Sequence, residues 1–119
     1  MITIPQHGKA GTLNDLKAFI VDLESLQRKI DFWTIHIEEC IGPASITLAE
    51  LSASNPKLTP LAFASLCYSV DQTIDGEFIA YLGGKEVVRL CVVDSSFWEI
   101  TGPPDFEAHM LSRYGAYEG

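Results

Sequence analysis

The chain has 119 residues, 47% of them hydrophobic, and a formal net charge of −8 from sixteen acids against eight bases. That length suits one domain, and that apolar content excludes a chain too polar to bury a core. So acidic a chain repels nucleic-acid phosphates and anionic membranes; it either attracts a basic macromolecular partner or serves solubility alone.

The charge is unevenly placed. Residues 1–30 carry Lys9, Lys17, Arg28 and Lys29 against Asp15, Asp22 and Glu24, a balance of +1 that leaves −9 for the rest. No apolar run approaches the ~20 residues of a membrane span. The opening MITIPQHGKAG lacks the basic and apolar regions of a secretory leader, so a cytoplasmic protein is expected. Cys40, Cys67 and Cys91 are odd in number and far apart, which predicts free thiols in a reducing compartment, without a disulfide framework or zinc knuckle.

In chain order, HGKAGT (His7 to Thr12) has the composition of a phosphate loop without its order and reads as a lead into a helix. Leu13, Leu16, Phe19, Ile20, Leu23, Leu26 and Ile30 then recur at helical spacing. They predict a helix over Leu13 to Lys29, capped by Thr12, with Asp15 at the third helical position. DFWTIHIEEC alternates cleanly and predicts a strand over Phe32 to Cys40, with Trp33, Ile35 and Ile37 inward.

His36, Glu38 and Cys40 share the outward face of that strand. A zinc site needs three or four ligands converging at about 2.0–2.3 Å. Same-face neighbours on a strand start ~6.6 Å apart, given ~3.3 Å rise per residue. The remaining nitrogen and sulfur ligands, His7, His109, Cys67 and Cys91, are scattered. The trio therefore reads as a solvated face, and no metal or cofactor is expected.

Beyond the Gly42-Pro43 turn, ITLAELS (Ile46 to Ser52) is expected to form a second strand. ASNPKLTP is a loop, and LAFASLCYSV becomes a strand toward Leu66 to Val70. Glu77 to Thr101 predicts a three-stranded meander, with Gly83-Gly84 as a two-residue hairpin and a short turn at Ser95-Ser96. Pro104 to Tyr114 is a closing helix, with Pro104 in its first turn, Asp105 and Glu107 near its start and Gly115 past its end. The whole is one α+β domain over residues 1–119. Its antiparallel sheet has about five or six strands, and the N-terminal and C-terminal helices pack on one face.

Two-residue loops would pair Ile79 with Val88 and Val93 with Trp98. One face would then collect Phe78, Ala80, Leu82, Val87, Cys91, Val93, Trp98 and Ile100 under the helices, interrupted by Arg89. The other would carry Ile79, Tyr81, Val88, Leu90 and Val92, rimmed by Glu77, Glu86, Asp94 and Glu99. An apolar centre with an acidic rim suits a partner surface or a homodimer contact. A one-residue slip in either turn would exchange the faces.

Catalytic motifs are not found. G-x-S-x-G is missing, and no nucleophile is placed beside a base by sequence. Trp33 and Trp98 read as core. The expected function is therefore non-enzymatic binding of a basic protein. DSSFWEITGPPDFEAHMLSRYG, about the last fifth of the chain, resembles the closing strand, turn and helix of several small acidic bacterial immunity proteins, which neutralise a cognate toxin domain. The resemblance implies a toxin inhibitor and transfers no site residue. Two alternatives stand beside it. One is a small acidic secretion chaperone of the type III kind, from which the chain departs by lacking a clear middle helix. The other is a small enzyme or ligand-binding domain with a pocket between sheet and helices.

Overall fold

The computed structural model describes residues 1–43 and 45–118. Its strands are β1 (Ile2–Pro5), β2 (Phe32–Ile41), β3 (Gln72–Leu82), β4 (Lys85–Val93) and β5 (Phe97–Thr101). Its α-helices are α1 (Leu16–Ser25), α2 (Ser45–Ser54), α3 (Pro60–Cys67) and α4 (Pro104–Tyr114). The strands form one open antiparallel sheet in the order β1-β5-β4-β3-β2. The expected α+β class, the C-terminal meander and the closing helix are all present. None of the described helices is long and apolar enough to cross a membrane.

Helix α1 is shorter than its apolar stripe. Asp15, not Thr12, caps it, accepting from the Leu16 N–H, while the Thr12 hydroxyl donates to the Lys9 carbonyl. The start is delayed because Asn14 is already engaged. Its N–H donates to the Gln6 carbonyl, and its carbonyl accepts from the Trp98 indole N–H. At the far end Gln27 is left-handed (φ 54°), its N–H bonding the Glu24 carbonyl and that of Arg28 the Leu23 carbonyl. That pair of bonds closes the helix without glycine.

Two expected strands are helices. ITLAELS lies in α2, where Leu48 is buried and Leu51 packs against the core one helical turn on. Asn55, left-handed at φ 49° and followed by Pro56, stops it. LAFASLC lies in α3, capped by Thr59, whose hydroxyl accepts from the Ala62 N–H, with Pro60 in the first turn. The chain therefore does have a middle helix, contrary to the expectation from its sequence. Strand β1 is too short to stand out in the sequence; it pairs with β5 at the sheet edge.

Helices α1, α3 and α4 cover one face of the sheet. Phe63 of α3 stacks on Trp33 at 4.1 Å, Phe19 of α1 meets Trp98 edge-on at 4.9 Å, and Tyr114 of α4 meets Phe19. Ile4, Ile35, Phe78, Ala80, Val88, Leu90, Val92 and Ile100 fill this core from the sheet side. At the β2 edge, Trp33 exchanges both backbone bonds with Leu58, and the Ile37 N–H donates to the Ser52 hydroxyl. At the other edge the Tyr117 N–H donates to the Thr3 carbonyl. Both edges are partly occupied, which discourages strand addition there.

Candidate protein-interaction face

No described helix lies across the second face of the sheet, though α2 borders it at the β2 edge, where Ser52 and Asn55 share a depression with His36, Glu77 and Tyr81. The register places the side chains of this face in rows. Thr34, Ile79, Arg89 and Thr101 are cross-strand neighbours, as are His36, Glu77, Cys91 and Glu99, with Thr3 beyond. Phe32, Tyr81 and Glu86 make a third row, in which Phe32 stacks on Tyr81 at 4.8 Å. Val93 and Phe97 make a fourth, with Tyr117 stacked on Phe97.

This composition differs from the expected one because β4 contains a bulge. Tyr81 pairs with Glu86 and Ala80 with Val88, so Val87 is an extra residue between them. Beyond it every β4 side chain changes face. The turn to β5 has three residues instead of two, pairing Val93 with Phe97. Val88 and Leu90, expected at the centre of the binding face, are core residues at 1% and 0% exposure. Arg89, Cys91 and Val93 take their place outside. Of the other expected residues, Glu77, Ile79, Tyr81, Glu86 and Glu99 lie on this face. Asp94 sits at its border in the β4–β5 turn, where its N–H donates to Asp75.

Arg89 lies between two of the carboxylates, donating to Glu86 through Nε and to Glu77 through a terminal nitrogen at 3.0 Å. Glu99 makes no salt bridge among the described residues. Cys91 lies between Glu77 and Glu99. Partial burial raises its thiol pKa, and the two carboxylates raise it further. Two shallow depressions of about 310 and 300 Å³ meet at His36 and Glu77. One runs toward Ile79 and Tyr81, the other toward Glu38, Asp75 and Cys91. The face thus joins half-buried apolar side chains to closely spaced carboxylates. Sequence reasoning missed Arg89, Cys91, Val93 and Phe97; an arginine interrupting the supposed core face was the available signal.

The trio that first suggested a metal does not converge. A second irregularity, between Ile37 and Cys40, breaks the alternation of β2. His36 and Glu38 stay exposed, 3.4 Å apart, whereas Cys40 packs against the core.

Two polar clusters lie on the helix side. Asp15 accepts from the Thr73 N–H and hydroxyl, from the Gln6 amide and from its own helix terminus. Asp22, 1% exposed, binds His109 at 2.9 Å, Tyr114 and Arg113, tying α4 to α1. Burial and the neighbouring Asp22 both raise the Tyr114 phenol pKa, so it stays a donor. An acid–histidine pair can orient a base for catalysis. Here the histidine nitrogen, the guanidinium and the phenol all converge on one buried carboxylate, which is the geometry of a fastener between helices. Comparison of the chain with protein-family models, curated proteins and solved structures finds no match in any of the three.

Proposed function

We propose that the chain is a non-enzymatic acidic binding module that docks a basic protein on the open face of its sheet, and that it acts as an inhibitor of the immunity-protein kind. One observation carries the reading. Glu77 and Glu99 flank Cys91 on adjacent strands, beside the apolar Ile79, Tyr81 and Val93, on a face that no described helix covers. Carboxylates steer a basic partner to the face and speed encounter; desolvated apolar and aromatic groups then slow its departure. Arg89 fits the same scheme as an internal counter-charge that a partner's arginine or lysine displaces or extends.

The test begins with capture of a basic partner at low salt, followed by binding kinetics with the purified pair. Glu77→Gln with Glu99→Gln is expected to slow association about tenfold at low salt, with little change at high salt. Tyr81→Ala is expected to speed dissociation by about tenfold or more, as loss of an aromatic anchor does. The inhibitor reading further requires that the chain abolish the captured partner's activity. A partner that is acidic, or rates indifferent to both sets of substitutions, removes this face from binding. The secretion-chaperone alternative keeps a foothold in the presence of α2 and α3. It would be favoured by a partner bound as an unfolded segment with little salt dependence.

A further inference from the structure

A second surface of different character lies on the opposite side of the molecule. The outward stripe of α3 is Leu61, Ser65 and Tyr68, spaced i, i+4, i+7, and all three are exposed, Leu61 at 82%. Helix α3 carries no charged residue. Beside it, the outward flank of α1 presents Val21, 47% exposed, between Lys17 and Glu24. The two helices run antiparallel: Lys17 at the start of α1 pairs with Asp71 beyond the end of α3, and Leu23 at the end of α1 shares a recess with Pro60 at the start of α3. That recess, of about 100 Å³, is mainly apolar and is bordered on the α3 side by Pro60 and Ala64. Exposed large apolar groups collected on one patch mark an interaction surface.

The geometry points to a second copy of this chain as the occupant, meeting α1 on α1 and α3 on α3 about a two-fold axis near Val21 and Ser65. Three features of the patch are self-complementary, as an isologous contact requires. Lys17 and Glu24 flank Val21 four residues before and three after, so antiparallel apposition sets each lysine against the other copy's glutamate. Leu61 and Tyr68 flank Ser65 in the same way, so each tyrosine falls over the other copy's leucine. The centre of the α3 stripe is a serine. It is small enough to let the two helices approach closely, and its hydroxyl, both donor and acceptor, can pair with its own counterpart across the axis. Charge selects this surface as well. On this surface Lys17 offsets Glu24 and α3 carries no charge, whereas the open sheet face carries Glu77, Glu86 and Glu99 against Arg89, so copies meeting through their sheet faces would repel more than copies meeting here. Such a dimer leaves both acidic faces outward and free.

Sedimentation equilibrium on the full chain, over a wide range of concentration, tests this. Wild type is expected to approach twice the 13.1 kDa of one chain. Leu61→Asp is expected to raise the dimer dissociation constant at least tenfold without unfolding, because the side chain is exposed. Ile46→Asp on α2, 73% exposed and outside the patch, is expected to change nothing. Glu24→Lys alone should weaken the dimer, and Glu24→Lys with Lys17→Glu should restore it, both in a chain carrying Asp71→Asn so that no carboxylate of the same copy faces the new glutamate; only cross-axis pairing is rescued by exchange. A wild type that stays monomeric throughout overturns the inference. So does a dimer untouched by Leu61→Asp, one equally lost with Ile46→Asp, or one that the double exchange does not restore. Partner binding at the sheet face is measured separately, so failure of either reading leaves the other standing.

Discussion

Both oxygens of Asp15 are ringed by donors, two from Thr73, one from Gln6 and one from Leu16. Burial nevertheless raises its carboxyl above the usual 3.8, the hydrogen bonds offsetting only part of the shift. A carboxyl whose folded-state value exceeds its unfolded one contributes stability that is fully present below the unfolded value. That contribution is lost as pH rises through the folded value. Asp15→Asn removes this titration and sets an amide N–H₂ against a donor, a cost of about 1–3 kcal/mol. The gap in stability between wild type and variant is therefore expected to be widest in acid and to narrow as pH rises. Urea denaturation at a series of pH values measures it, and a gap that widens with pH contradicts the assignment. None of this was legible in the sequence, where Asp15 looked like an ordinary helix-start acid. Its partners Gln6 and Thr73 are nine and fifty-eight residues away, and no local spacing announces contacts that only the closed fold creates.

At the scale of elements, legibility followed local chemistry. The alternation of Phe32 to Ile37, the Gly83-Gly84 hairpin (φ 60° and 77°) and the Pro104 helix start are local signals, and the structure keeps them. Helices α2 and α3 also had local signals, Asn55-Pro56 as a stop and Thr59-Pro60 as a cap and start. These were submerged in a segment whose two prolines looked like loop punctuation. The Val87 bulge is different in kind. It is favoured because it turns Val88, Leu90 and Val92 into the core and Arg89 out to Glu77 and Glu86, a choice made by packing over the whole strand. Deleting Val87 removes only the extra residue, leaving Tyr81 with Glu86 and Ala80 with Val88 in unbroken register and Arg89 still facing out. The deletion is therefore expected to be tolerated, at a loss of no more than about 2 kcal/mol. Val87→Ala keeps the bulge and is expected to cost about 1 kcal/mol at this half-buried site. Denaturant titration measures both, and a deletion that costs more than about 4 kcal/mol, as for a buried unpaired charge, would show that Val87 is itself needed to keep Arg89 outside.

For the whole molecule, the decisive property is that α1, α3 and α4 cover one side of the sheet, while α2 flanks the β2 edge and no described helix lies across the other side. Core burial is complete beneath α1, α3 and α4, and the other side stays open with its carboxylates in register. Cys91 at the middle of that side offers a probe of its use. Cys67 is buried at 1% exposure and its thiol pKa is pushed well up by burial, while Cys40 is packed partly against the core. Cys91 stands between Glu77 and Glu99, half-buried, and its raised pKa calls for labelling at mildly alkaline pH. Attachment of a bulky neutral maleimide there inserts a group of side-chain size between the two carboxylates without changing their charge. Basic-partner association is expected to weaken by about tenfold or more, because well-packed interface centres tolerate insertion poorly. Cys91→Ser should bind normally and resist the reagent. Self-association through α1 and α3 should not respond, since perturbations at separate, non-contacting sites act independently. Labelled protein that binds the basic partner as tightly as the unlabelled chain would place the partner elsewhere. Labelled protein that loses both interactions together would mean that the two sides of the sheet are coupled through the core.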